Sequence, residues 1–239
     1  MKFYNIPCTN PWWNMAFDEW LLQNGPDEPV FRLWRNEPSV IIGHNQVAEQ
    51  EVNLEYLRQH GIKLARRVTG GGAVYHDLQN MNYSFAGPTG TVTPEVFAEA
   101  LQQLGLPAEL TGRNDIFVEG RKISGYARSV WHNRELVHGT LMYDVDIDTL
   151  TEVLNVEGSS KLNLKGVASI RSRVTNVRDY LPQFASLDEL QAALLRILAE
   201  KSGNPQLSGT PLQLTKSQLA EIDKLASEKF ASSDWIYKQ

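Results

Sequence analysis

Arg66-Arg67-Val68-Thr69-Gly70-Gly71-Gly72-Ala73-Val74-Tyr75-His76-Asp77 is the stretch on which the reading of this chain turns. Three consecutive glycines leave a loop without side chains, so backbone N–H groups can close on a bound anion or carbonyl. Two arginines ahead of it supply fixed positive charge, and the histidine behind it supplies a titratable donor. Residues 62–65 and 73–75 read as strands, so the glycines turn a corner between them. The triplet by itself also suits a flexible hairpin loop, and that alternative stays open at this point. A P-loop is excluded, because no Gly-Lys-Ser/Thr follows and a strand, not a helix, comes next.

Working outward, Asn10 can cap a helix with Pro11 at its first position, and Trp13, Phe17, Trp20 and Leu21 then recur at helical spacing. That periodicity marks the tryptophans as core. Gly25-Pro26 ends the helix. Residues 29–34 and 39–42 are short, apolar and β-branched, with a turn through Asn36-Glu37-Pro38. Residues 48–59 read as one helix stopped by Gly61. Further on, 81–85 reads as a strand and 94–104 as a helix opened by Thr93. Residues 116–118 and 122–127 flank Glu119-Gly120-Arg121 as a hairpin. A strand candidate at 136–145 comes next, then helical patterns to the end, notably 187–201 and 216–229. Residues 203–211 make the best linker, but the stretch beyond them is too short for an independent domain. Strands joined by both hairpins and helices predict an α+β chain: a mixed β-sheet flanked by helices. One domain over 1–239 is expected, with a C-terminal helical segment from about 206.

Composition narrows the function. The net charge is −5 and the pI about 5.6, which argues against a general phosphate-backbone binder. Cys8 is the single cysteine, so no internal disulfide can form and a reducing compartment fits. No apolar run approaches the ~20 residues that span a bilayer, and the N-terminus lacks a signal peptide's apolar region. A cytoplasmic protein without a membrane or nucleic-acid partner is expected. The five histidines never fall at metal-ligand spacing, which disfavours a structural zinc site. No Gly-x-Ser-x-Gly elbow is present.

Six further blocks accompany the glycine run. They are Asn10-Pro11-Trp12-Trp13-Asn14-Met15-Ala16, Leu33-Trp34-Arg35-Asn36 with Ser39-Val40-Ile41-Ile42-Gly43, Gly112-Arg113-Asn114-Asp115-Ile116, Arg121-Lys122-Ile123-Ser124-Gly125-Tyr126-Ala127, His138-Gly139-Thr140-Leu141 and Ser169-Ile170-Arg171-Ser172-Arg173-Val174-Thr175-Asn176. In this order the set resembles the lipoate–protein ligase A family. The resemblance implies a catalytic domain of the type shared with biotin–protein ligases and class II aminoacyl-tRNA synthetases. It implies ATP-dependent activation of lipoate to lipoyl-AMP and transfer of the acyl group to a lysine. The acceptors would be lipoyl domains of 2-oxoacid dehydrogenase E2 subunits or the glycine cleavage H protein.

The family motif puts Lys122 at the position that contacts both ATP and lipoate, which makes it the catalytic candidate. A compact ammonium can meet a phosphate and an acyl oxygen together; an exposed edge-strand lysine is the plain alternative. Arg67 matches the arginine that contacts the nucleotide phosphate, and Gly71, Gly72, Ala73, Val74 and Tyr75 match the stretch that wraps the nucleotide. His76 would donate to a phosphate or acyl carbonyl, oriented by Asp77. Asn114 and Asp115 fall near the adenylate by resemblance, with Asp115 the Mg²⁺ candidate, since Mg²⁺ takes one or two carboxylates plus phosphates. Gly125, and Gly139 between His138 and Thr140, would let a ligand lie close to the strands. Trp34 and the Val40-Ile41-Ile42 strand are guesses for the acyl slot.

Between 159 and 178 the chain carries Lys161, Lys165, Arg171, Arg173 and Arg178 and no acid. That run reads equally as a solvated face or as a rim that steers an acidic acceptor or the triphosphate. Larger members of the family carry a C-terminal accessory domain, which is not expected within these residues. Three arrangements are then open: a self-sufficient short form, a separate accessory-domain partner, or use of preformed lipoyl-AMP. The rival readings are an octanoyl or lipoyl transferase, which needs a thiolate such as Cys8, and a non-catalytic lipoate or adenylate binder.

Overall fold

The computed structural model describes residues 2–4, 7–91, 95–111, 114–154, 173–201 and 212–238. Gly112, Arg113, the helix opening at 93–94, the basic run through 172 and the 203–211 linker lie outside them. In chain order the first half forms β1 (Lys2–Phe3), α1 (Pro11–Asn24), β2 (Val30–Trp34), β3 (Ser39–Ile42), α2 (Ala48–Glu51), α3 (Leu54–His60), β4 (Lys63–Arg66), β5 (Val74–His76) and β6 (Asn80–Pro88). The second half forms α4 (Glu95–Gln103), β7 (Glu109–Thr111), β8 (Asp115–Val118), β9 (Arg121–Trp131), β10 (Arg134–Met142), α5 (Ile147–Val153), α6 (Leu187–Lys201), α7 (Lys216–Leu225) and α8 (Ser233–Ile236).

Two sheets result. The larger runs β1-β2-β6-β10-β9-β8-β7, with β1 parallel to β2 and antiparallel pairing at each other junction. The smaller runs β4-β3-β5, with β3 parallel to β4 and antiparallel to β5. The mixed sheet with flanking helices is therefore as expected, divided into two sheets. The glycine corner is not a hairpin: β3 lies between the strands on either side of it, so the loop must cross over β3.

Helix α1 forms as its sequence dictates. Asn10 Oδ1 accepts from the backbone N–H of Trp12 and Trp13, and Pro11 sits where no amide donor is needed. At its far end the buried Arg134 donates to the carbonyls of Leu21 and Leu22 in the last turn and of Pro26 just beyond it. Residues 48–59 break into α2 and α3, because Val52 leaves the helix for an isolated bridge to Leu154 and Asn53 caps a new one on Tyr56 N. Gly61 ends α3 with φ of 64°, a left-handed cap that glycine adopts freely.

Strand β2 is buried throughout and sorts its side chains by pleat. Phe31 and Leu33 pack with Tyr83, Phe85, Phe97, Leu101, Leu190 and Leu194 under α4 and α6. Val30 and Trp34 face the other way, among α1 residues Met15, Phe17, Trp20 and Leu21. The C-terminal segment is part of this layer. Ile222 and Phe230 are buried against α1, and Trp13 and Trp20 donate their indole N–H groups to Asp223 and Glu221. Among the described residues, no helix is long and apolar enough to cross a membrane.

Candidate active site

A cleft of about 160 Å³, partly open to solvent, lies between the α1-facing side of the large sheet and the glycine loop. Its floor follows from strand register. Trp34 pairs with Asn82, and Asn82 with Thr140. Gly125 lies against Thr140, its N–H 3.5 Å from Oγ1, and pairs with Asp115 on its other side. All five line the cleft. Two residues along, Arg32, Ser84, His138 and Ala127 form a second row facing the same way. A Cβ on Gly125 would sit 2.8 Å from Lys122 Nζ on the cleft side, whereas one on Gly139 would sit 2.4 Å from the Tyr83 ring on the core side.

Lys122 reaches this face through a bulge. Strict alternation would put residues 122 and 125 on opposite faces. The β8–β9 ladder slips between Ile116 and Phe117, so Ile123 and Ser124 are both buried on the core side. Lys122 and Gly125 therefore both turn to the cleft, the re-aiming for which bulges are used. The described end of the basic run pins the backbone there: Lys122 N–H donates to Arg173 O at 2.7 Å, and Lys122 O accepts from Thr175 N at 3.0 Å. The ammonium lies 2.8 Å from Asp115 Oδ1, with the two side chains 39% and 30% exposed. Asn114 Nδ2 donates to Tyr126 O, fixing the turn that carries Asp115.

The two arginines divide their labour. The Arg66 guanidinium is fully buried and donates to the carbonyls of Gly43, His44 and Gln46 on one side and of Trp235, Ile236 and Lys238 on the other. Arg67 donates to the carbonyls of Ile41, Gly70 and Gly72 and to Thr69 Oγ1. Its fork therefore shapes the glycine loop from within, and burial lowers its pKa to about 10. No ion pair to Arg67 occurs among the described residues, so the loop carries a positive charge matched only by carbonyl dipoles. Gly43 permits the close pass of the loop: a Cβ there would lie 2.1 Å from Gly71 O.

Behind the floor lies a buried polar network. Thr69 Oγ1 is 2.7 Å from His138 Nε2, and His138 Nδ1 is 2.8 Å from Asp18 Oδ2. Asp18 also accepts from Ser84 Oγ, which accepts from the Trp34 indole, and it pairs with Arg32 at 3.4 Å. One network thus holds the loop, the floor and the Trp34 wall in register. Separately, Asn36 Nδ2 stands 3.0 Å from His76 Nδ1.

Of the residues named from sequence, Arg67, Gly71, Gly72, Ala73, Val74, His76, Asn114, Asp115, Lys122, Gly125, His138 and Thr140 all line the cleft. Tyr75 does not. Between Val74 and His76 the pleat turns it to the opposite face, where it is buried with Val40, Ile42 and Leu57. Asp77 does not orient His76. It accepts from the amides of Gln79 and Asp146, and Asn36 takes the orienting role. Trp34 and Ile41 line the cleft as guessed, whereas Val40 and Ile42 face the core below β3. Sequence reading missed Met15, Asn82, Tyr126 and Ala127 on the walls, and Asp18, Arg32 and Asn36 behind them. Asp18 and Asn14 fall on α1 at positions i and i+4, a polar stripe within an apolar helix that was a legible signal. Cys8 is half-buried away from the cleft lining, and burial raises its thiol pKa, opposite to what a thiolate nucleophile needs. Among the described residues no cluster of three metal-ligating side chains occurs.

Known proteins with this arrangement agree with one another. Lipoate-protein ligase LplJ of Bacillus subtilis is 38% identical over 242 residues, covering 98% of this chain and 72% of that protein. A structure from the archaeal lipoylation system of Thermoplasma acidophilum, a bi-partite lipoate protein ligase and its E2 lipoyl domain, superposes with a TM-score of 0.87 at 32% identity, covering 99% of this chain and 95% of that one. A lipoate-protein ligase A bound with ATP superposes with a TM-score of 0.80 at 30% identity, covering 99% and 98%. The family model for the lipoyl protein ligase A/B catalytic domain matches residues 10–199. With cleft, register and relatives in accord, the chain belongs to the lipoyl protein ligase A/B catalytic domain family.

Proposed function

We propose that this chain is an ATP-dependent lipoate–protein ligase acting through an acyl-adenylate. The observation that carries the reading is the placement of Lys122. A bulge and two backbone hydrogen bonds hold its ammonium at the mouth of a cleft, with the positively charged glycine loop across from it and apolar walls beyond.

In the first step the lipoate carboxylate attacks the α-phosphorus of ATP, forming the acyl–phosphate bond and releasing pyrophosphate. Lys122 contacts the carboxylate and the α-phosphoryl oxygen, stabilising negative charge that grows as the two anions join. Arg67 holds the loop whose N–H groups face the phosphates, and its unmatched charge favours an anion there. In the second step the amine of an acceptor lysine attacks the acyl carbon and AMP departs, with Lys122 again beside the developing oxyanion. Asp115 is the acidic residue among the described cleft residues, and one carboxylate with phosphates suits Mg²⁺, so Asp115 would hold that ion. Bound there, Mg²⁺ would neutralise charge on the triphosphate. The acceptors we propose are E2 lipoyl domains and the glycine cleavage H protein.

Lipoate-dependent ATP–pyrophosphate exchange by the purified chain tests the reading. Exchange establishes activation. No exchange even with a second chain added, with transfer from synthetic lipoyl-AMP intact, assigns this chain the second step alone. Neither reaction under either condition refutes the proposal.

A further inference from the structure

Two buried donors on the cleft wall have no partner: His76 Nε2 and the Asn82 side-chain nitrogen. The residues are 3% and 1% exposed and both line the cleft. The network around His76 fixes which of its ring atoms is the donor. Asn14 Nδ2 faces the carbonyls of Cys8 and Arg35, so it is a nitrogen. It therefore donates to Asn36 Oδ1, and the other end of Asn36 donates to His76 Nδ1. A neutral imidazole that accepts at Nδ1 carries its proton on Nε2. Burial and the Arg67 charge keep His76 neutral by lowering its pKa to about 3. The Asn82 oxygen accepts from Asn80 Nδ2, which leaves its two N–H groups unmatched. Buried donors of this kind are costly to leave unmade.

Register places them. Asn82 is on β6, next to Trp34 on β2 and two strands from β9, where Lys122 sits. At strand spacing that is roughly 10 Å across the sheet. His76 meets the edge of the Trp34 ring, and Met15 and Ile41 complete the apolar wall. An acid whose carboxylate rests on Lys122 and whose chain crosses the strands therefore ends against both donors. We propose that His76 Nε2–H and the Asn82 amide read the far end of the acid, selecting a tail that carries hydrogen-bond acceptors, the sulfur pair of a dithiolane ring, over an all-carbon tail. Thioether and disulfide sulfur accept weakly, and they also suit the edge of an aromatic wall. An all-carbon tail would exclude water from both donors and give nothing in return, which is how such a site discriminates.

This inference rests on the acid-ligase reading, and one experiment separates the two. Binding by calorimetry and pyrophosphate exchange would be measured with lipoate, its carbocyclic analogue 5-cyclopentylpentanoate and octanoate, using the full chain and its Asn82→Leu variant. The unaltered chain is expected to favour lipoate over the cyclopentyl analogue by about tenfold. Asn82→Leu should shrink that preference to roughly threefold. Equal handling of lipoate and the carbocycle by the unaltered chain overturns the inference and leaves the ligase reading standing, and it needs no variant to fold. An equal loss on all three acids in Asn82→Leu also overturns it. Failure to bind any of the three acids overturns this inference, and when transfer from synthetic lipoyl-AMP also fails it overturns the ligase reading with it.

Discussion

Replacing His76 by glutamine should change how stability depends on pH more than it changes stability at neutrality. His76 is 3% exposed, and its pKa falls from 6.5 to about 3 through burial first and then the charges of Arg67 and His138. The unfolded chain takes up a proton on this imidazole near 6.5, while the folded chain refuses it until about 3. With the folded value depressed, the contribution is fully present above 6.5 and is lost as pH falls toward the folded value. The slope is about 1.4 kcal/mol per pH unit, so going from neutrality to pH 5 should remove about 2 kcal/mol. Urea unfolding of both proteins at half-unit steps from pH 7.5 to 5 measures this directly. Other titrating groups, such as the half-buried Asp77, are common to both proteins and cancel in the difference. The stability difference between the original chain and His76→Gln should therefore shift by about 2 kcal/mol over that range. A difference that stays flat would mean that His76 titrates like a solvated imidazole, and its fixed Nε2–H tautomer would have to be abandoned.

Lys122→Ala should lower pyrophosphate exchange by about 10²–10³-fold. The same change should cost less than about 1 kcal/mol of stability, because the pair with Asp115 is a third exposed and screened; a melting curve beside the exchange assay checks both. Gly125→Ala should leave the fold intact yet raise the Michaelis constants, since its new methyl displaces the flexible end of Lys122, 2.8 Å away. Gly139→Ala meets the buried Tyr83 ring and the Gly125 carbonyl, so thermal denaturation should show a loss of about 1–3 kcal/mol. Gly43→Ala presses on the Gly71 carbonyl at 2.1 Å and should weaken nucleotide binding more than acid binding, as titration with each ligand would show.

What sequence made legible was local. The Asn10–Pro11 cap, the Glu119–Gly120 hairpin and the strands on either side of the glycines each follow from residues within a few positions of one another. The insertion of β3 between β4 and β5 is a long-range pairing that no local pattern encodes, so the glycine corner read as a possible hairpin. Lys122 was found through its motif, but the bulge that aims it was not, because nothing in Ile123-Ser124 departs from ordinary strand composition. Tyr75 was placed in the site by continuity of the motif, and a period-two count from His76 would have removed it. Asn36 and Asn82 escaped notice because their meaning depends on partners, Asn14 and His76 in one case and Asn80 in the other, that only the folded chain assembles.

Arg66 ties together carbonyls from the turn after β3 and from residues 235–238, across about 190 positions of chain. A guanidinium without a carboxylate partner can be buried only when both sets of oxygens have arrived. The stem of the glycine loop therefore cannot reach its final form until the last helix has docked. Residues 233–238 act as a keystone for the nucleotide-facing loop, although none of them borders the cleft. Trimming the chain back past Trp235 would accordingly be felt first in the loop, by a residue whose neighbour lines the site.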